Sequence, residues 1–276
     1  MINAAAAIGS HNLVFITFDT LRYDVAERAM QENRTPFLAS LLPEGQWEKR
    51  QTPATFTYAA HHAFFAGYLP TPVPKPLDYQ RLFACSFEGS ATTGQSTWVT
   101  QHSNIIEGLA AVGYHTLCIG GVGFFNQQNA LGRVLPDLFM ESHWSRELGV
   151  TDAHSTQHQV ALACQRLKAL PVDQRYMLFI NLSAMHQPNC IFSPPDTGGK
   201  RPQGDSPQTQ LDALAYVDTQ LAPLFYTVRT RGDSLCILSS DHGTSYGDDG
   251  VWGHGVAHPS VWEVPYREFI LKAGAS

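Results

Sequence analysis

The sequence predicts an α/β protein, a three-layer α/β/α sandwich around a mostly parallel central sheet. Three observations support this. Short apolar, β-rich runs recur along the 276 residues. Helical segments lie between them, the alternation that gives a parallel sheet with helices on both faces. Glycine and proline stand at the segment ends, where the chain must turn. Hydrophobic residues make up 43% and charged residues 15%, so a chain of this length can bury a sizeable core. It reads as a single domain over residues 1–276, without internal repeats.

The elements follow in order. Asn12–Phe18 (NLVFITF) is a buried-strand pattern with Asp19-Thr20 at its carboxyl end. Thr35-Pro36 reads as an N-cap followed by proline at the first helical position, opening FLASLL. Thr57 precedes a helix over Ala59–Ala66, stopped by Gly67 and Pro70. Residues 71–100 are rich in proline, glycine, serine and threonine and read as a long loop or substrate-facing insertion. Ile105–Val112 is helical and closed by Gly113, and His115–Ile119 (HTLCI) is a strand. His154–Leu170 is a helix and Tyr176–Leu182 (YMLFINL) a second buried strand. Leu211–Val228 is the clearest helix: Leu211, Leu214, Val217, Leu221, Leu224, Phe225 and Val228 share one broad face. Leu235–Ser239 (LCILS) is a strand running into Asp241-His242-Gly243, and Glu268–Lys272 is the last strand.

Charge and cysteine usage narrow the function. A net charge of −6 gives no general attraction to nucleic acid or to an anionic membrane, and leaves room for a local basic pocket that takes one anionic substrate. Cys85, Cys118, Cys164, Cys190 and Cys236 are well separated and odd in number, so they read as reduced, packed thiols. The first residues lack a basic leader region, and no apolar stretch reaches the roughly 18 residues of a membrane span. The expected location is the cytoplasm.

In open parallel sheets, ligands bind beyond the carboxyl ends of the strands. Asp19 and Asp241 stand there, and His186 follows the YMLFINL strand by a few residues. Asp19, Asp241 and His242 form a mixed oxygen and nitrogen set, which suits a divalent ion such as Zn²⁺ or Mn²⁺. Each residue alone would read as a cap or a turn residue, and so would Thr57.

The order of motifs resembles the alkaline phosphatase/sulfatase superfamily, and within it the threonine-nucleophile phosphotransferases of the lipoteichoic-acid-synthase type. FITFDTLRYD (15–24) is similar to the opening strand with its metal-binding Asp, and TPATFTYAAHHAFFAGYLP (52–70) to the nucleophile segment. IIEGLAAVGYHTLCIGG (105–121) resembles the helix and strand that follow, and FINLSAMHQP (179–188) the strand whose His touches substrate. AYVDTQLAPL (215–224) and CILSSDHGTSYGDDGVWGHG (236–255) resemble the last metal-ligand motif, and VWEVPYREFIL (261–271) the strand after it.

The resemblance implies a metal-dependent enzyme acting on a small anionic phosphate ester. Asp19, Asp241 and His242 would hold one divalent ion, Zn or Mn. Thr57 would be nucleophile and metal ligand at a helix start, giving a phosphothreonine intermediate. His61 would support the nucleophile or a substrate oxygen. His186 and His254 would contact the anionic group or protonate the leaving oxygen. His254 or His258 leaves open the recruitment of a second ion.

Departures from the family pattern bear on the substrate. The stretch Thr57-Tyr58-Ala59-Ala60-His61 lacks the Cys or Ser, x, Pro, x, Arg signature of sulfatases. Their Lys-x-His pair would fall near Gly121 and Gly123. A sulfatase or phosphomutase on the same frame, and a catalytically silent anion-binding protein, remain as alternatives. The chain is short for the superfamily, which implies an open pocket, a small substrate, or a partner subunit or homo-oligomer that completes the site.

Overall fold

The computed structural model describes residues 2–67, 83–85, 98–100 and 104–274. Its seven-stranded sheet comprises β1 (Asn12–Phe18), β2 (Glu48–Gln51), β3 (His115–Ile119), β4 (Glu141–His143), β5 (Tyr176–Leu182), β6 (Ser234–Ser239) and β7 (Glu263–Leu271). The strand order is β2-β7-β6-β1-β5-β3-β4. Pairings from β6 through β1, β5 and β3 to β4 are parallel, and β7 runs antiparallel to both β6 and β2. This is the expected three-layer sandwich. The expected loop over 71–100 lies outside the described residues, except that Phe83–Cys85 and Trp98–Thr100 pair in parallel as a separate two-stranded sheet.

β1 occupies the middle of the sheet because both of its faces are apolar. Successive residues on a strand point to opposite faces. Val14, Ile16 and Phe18 join one buried cluster, and Leu13 joins the other. The first cluster packs under helices α5 (Ser155–Ala169) and α6 (Pro207–Thr230). All seven residues of the face expected on α6 are buried there. The second lies under α3 (Thr57–Ala66) and α4 (Ile105–Ala111), through Tyr58, Phe65, Ile106 and Leu109.

α6 begins earlier than its apolar face suggests. Ser206 and Thr209 form a reciprocal capping box, with Pro207 at the first helical position. Helix α1 (Tyr23–Gln31) follows Arg22, and α2 (Pro36–Leu41) starts after Thr35 as expected. The cap itself comes from elsewhere. Thr35 Oγ1 turns to Met30 Sδ at 3.3 Å, while Asp218 of α6 accepts the N–H of Phe37 at 3.0 Å and of Leu38 at 2.7 Å. A carboxylate takes two such donors better than one hydroxyl, and its charge suits a helix N-terminus. Asp218→Ala is therefore expected to cost about 2–3 kcal/mol of stability, read by denaturant unfolding.

Candidate metal centre and pocket

Sheet register assembles the site. Thr17 pairs with Ser239 and Phe18 with Leu182, so Asp19 and Asp241 leave β1 and β6 at the same level, beside the end of β5. Asp19, Asp241 and His242 are fully buried, and one ligand atom of each lies within 4.8 Å of the others.

Each ligand is aimed by local bonds. Asp241 Oδ1 accepts the N–H of Thr20 at 3.2 Å and of His242 at 3.0 Å. Asp19 Oδ2 accepts Asn181 Nδ2–H at 2.9 Å. His242 Nδ1–H donates to the Gly243 carbonyl at 2.8 Å, which leaves the Nε2 lone pair facing the carboxylates. Gly243 must be glycine, because a Cβ there would stand 2.0 Å from the Ser260 carbonyl oxygen. Thr20 holds φ 62, a strained value for a β-branched residue. Its Oγ1–H donates to the Met185 carbonyl at 3.0 Å and its own carbonyl accepts from Gln210 at 2.9 Å. Those bonds fix the strained residue and point its N–H at Asp241.

Thr57 opens α3 and is nearly buried. Its Oγ1 lies 3.2 Å from His242 Nε2 and 3.5 Å from Asp19 Oδ2. Among the described residues, the buried Asp19 Oδ1 and Asp241 Oδ2 have no hydrogen-bond partner. Burial and the neighbouring Asp241 carboxyl push the Asp19 carboxyl up, and burial pushes Asp241 up, each to about 6. Two unpartnered carboxylate oxygens beside an imidazole lone pair form an arrangement that a divalent cation satisfies and water-free burial does not. The residues present therefore fit a metal ion.

His186 and His254 stand beside this cluster. The His254 ring centroid is 4.6 Å from that of His242 and 6.0 Å from that of His186. Burial, with His242 and His186 adding to it, lowers the His254 imidazole to about 4. The loop carrying it is tied to the nucleophile segment, since Gly255 N–H donates to the Thr55 carbonyl at 2.7 Å. Thr57, His186 and His254 line one cavity of about 320 Å³ with Val122, Phe124 and Asn126. Cavities of about 490 and 560 Å³ lie on the sheet face by Phe15 and Tyr266 and between α5 and α6, away from these side chains.

His61, expected to support the nucleophile or a substrate oxygen, stands beneath the nucleophile segment. Its ring is fully buried among Phe64, Phe65, Phe125 and Phe179. Nδ1–H donates to the Thr57 carbonyl at 2.7 Å, and Nε2 faces the Thr17 hydroxyl at 3.1 Å. No face of it is left for a ligand, so it supports α3 from beneath. Burial lowers its imidazole to about 3, which keeps it neutral. His258 is spent as well: Nδ1 accepts Ser260 N–H at 3.2 Å, and Nε2 lies 3.3 Å from Asp249. Arg22 is bound to Asp24 and Asp248, both at 2.7 Å, and clamps the 245–253 turn rather than facing the pocket.

Sequence reasoning missed Asn181 and Thr17. Asn181 Nδ2 reaches both Asp19 and Thr17, and its Oδ1 accepts Val122 N–H at 3.1 Å. The available signal was a lone amide inside the fully buried YMLFINL strand, which must find partners.

Comparisons with known proteins agree with this frame. No curated protein sequence is similar to the chain at a significant level. Among solved structures, the periplasmic domain of phosphoethanolamine transferase EptC from Campylobacter jejuni is 15% identical, with a TM-score of 0.61 over 94% of this chain and 79% of that one. The periplasmic domain of EptC from Escherichia coli, in complex with Zn, is 14% identical, with a TM-score of 0.62 over 95% and 73%. The integral membrane protein EptA from Neisseria meningitidis is 15% identical, with a TM-score of 0.61 over 96% of this chain and 49% of that one. These likenesses correct the expectation of a cytoplasmic location, since the domains that share the fold are periplasmic or part of a membrane protein. That expectation rested on a missing leader and a missing apolar span. A catalytic domain carries neither in its own residues when the anchor is a separate part of a longer chain. Residues 11–268 match the family model described as Sulfatase, and the chain belongs to that family.

Proposed function

We propose that the protein is a metal-dependent phosphoric ester hydrolase or phosphotransferase that works through Thr57. The observation that carries this reading is the Thr57 hydroxyl at a helix start, within 3.2 Å of His242 Nε2, beside two buried carboxylate oxygens that lack partners. Asp19, Thr57, Asp241 and His242 would hold the ion, with Zn²⁺ favoured by the mixed donor set and Mn²⁺ the alternative. A bound divalent ion supplies a lowered hydroxyl pKa at Thr57 and polarises a phosphoryl oxygen.

The chain's own groups do the rest. Thr57 Oγ1 passes its proton to the imidazole of His186 or His254, which line the same cavity, and attacks phosphorus, forming a P–O bond as the ester P–O bond breaks. The departing oxygen takes a proton from His186 or His254. Water or an acceptor alcohol then displaces Thr57 from the phosphothreonine and restores its hydroxyl. The backbone N–H groups at the start of α3 add donors for the anion. Sulfate ester chemistry is disfavoured by the site. A Cβ at Gly121 would stand 2.3 Å from the Asn181 carbonyl, so no lysine can occupy that place without moving β5. The likeness to periplasmic domains supports an extracytoplasmic setting.

Purified protein loaded with Zn²⁺ or Mn²⁺ is expected to turn over an aryl phosphodiester or aryl phosphate, with little action on the aryl sulfate. Sulfate turnover exceeding both phosphate esters, or none of any under either ion, defeats the reading. His254→Ala is expected to keep its metal and lose about a hundredfold in kcat/KM. Metal analysis beside the kinetics separates the two effects.

A further inference from the structure

One wall of the candidate pocket is uncharged. Among the described residues, no Lys, Arg, Asp or Glu lines the cavity that holds Thr57, His186 and His254. Asn126 stands in that wall on a fixed mount. Its Oδ1 accepts Gln128 N–H at 2.9 Å. The same oxygen lies 2.2 Å from where a Cβ on Gly132 would be, so glycine at 132 is what admits the amide. Between them Gln127 takes φ 55, and its N–H donates to the Gly132 carbonyl at 3.1 Å. The carbonyl half of Asn126 is thus committed to the loop and its rotamer is set. Among the described residues, no hydrogen bond engages the Nδ2 half. It sits 4.0 Å from the Cβ position of Gly123, another pocket residue, with no side chain there to cover it.

We propose that Asn126 is a specificity-determining residue whose Nδ2–H donates to an oxygen of the bound phosphate ester. As a neutral donor in an uncharged wall, it favours a singly charged phosphodiester over a doubly charged monoester. A dianion gains most from fixed cationic side chains, and this wall supplies none. The proposal rests on reading the site as a phosphoester centre.

Two isosteric variants test it, both metal-loaded and assayed with bis(p-nitrophenyl) phosphate and p-nitrophenyl phosphate. Asn126→Asp keeps an oxygen for Gln128 N–H and the same bulk beside Gly132, and removes the donor. Asn129→Asp keeps the contact of Asn129 with Gly132 N–H, 2.8 Å in the native protein, and puts the same charge on the same wall. Wild type is expected to prefer the diester in kcat/KM. Asn126→Asp is expected to lose about ten- to a hundredfold more diester kcat/KM than Asn129→Asp, the magnitude of a hydrogen bond to a charged group. The extra loss is carried by KM, with metal content and melting temperature unchanged. Equal losses in the two variants, no loss at Asn126→Asp, or a wild-type preference for the monoester overturns the proposal. If wild type turns over esters and Thr57→Ala abolishes it, such a result leaves the phosphoester reading standing. If wild type turns over neither ester, reading and proposal fall together.

Discussion

Thr57→Ala is expected to lower phosphate-ester turnover by at least about a thousandfold, the scale seen when a covalent nucleophile is removed. The geometry says why the loss is chemical. The Oγ1 atom lies 3.2 Å from His242 Nε2 and 3.5 Å from Asp19 Oδ2, so it borders the cation cluster. Alanine keeps the start of α3, whose Phe56 cap makes no side-chain bond to lose. Asp19, Asp241 and His242 keep three ligands for the ion. The variant should therefore fold and bind metal while failing in catalysis. Thr57→Ser restores the hydroxyl and should recover activity to within about tenfold of wild type. Quenched reactions of wild type should carry phosphate on the Thr57 peptide, read by mass spectrometry. Turnover by Thr57→Ala close to wild type would falsify the nucleophile assignment.

Metal removal is expected to have the second large effect, and one that depends on pH. The metal-free protein holds the Asp19 and Asp241 carboxyls near 6, above the 3.8 expected in the unfolded chain, chiefly through burial. An acid whose pKa is raised on folding contributes stability that is present below the unfolded value and lost as pH rises through the folded one. So these two groups cost the metal-free protein on the order of a few kcal/mol between pH 4 and pH 7. A divalent ion removes that penalty by pairing both charges, and below pH 6 it must first displace protons. The gain in melting temperature on adding Zn²⁺ is expected to be large at pH 7–8 and to shrink as pH falls through 6. Asp241→Asn sharpens the test. The amide oxygen can still accept from Thr20 and His242, and the buried charge is gone. At pH 7 this variant should lose its response to metal and melt above the metal-free wild type. A metal response independent of pH between 5 and 8, or an Asp241→Asn protein less stable than metal-free wild type, argues that the carboxylates are held by something other than a cation.

Elements and ligands differed in how far they could be read locally. NLVFITF, HTLCI and YMLFINL come out as Asn12–Phe18, His115–Ile119 and Tyr176–Leu182, the boundaries the sequence implies. An apolar run between chain breakers has one low-energy place, the middle of a sheet. Glu48–Gln51 and Glu141–His143 were not legible, because short, charged edge strands form only when a neighbouring ladder offers its hydrogen bonds. The same division runs through α2. Pro36 marks where it starts, but its cap is Asp218, which only the packing of α6 brings there.

The sequence by itself determined the α/β frame, the strand ends where chemistry collects, and Asp19, Thr57, Asp241 and His242 as a group, because residue type and motif order survive without coordinates. Tertiary structure alone decided which atoms of those residues are free. It spent both nitrogens of His61 beneath α3, tied Arg22 to Asp248, and left Asp19 Oδ1 and Asp241 Oδ2 without partners. It also enlisted Asn181, Thr17 and Thr20, to which the motif resemblance gives no role. A hydrogen bond is a property of two groups at one distance and angle. Residues as far apart in sequence as Thr20 and Asp241 acquire that relation only once the register of β1 against β6 is set.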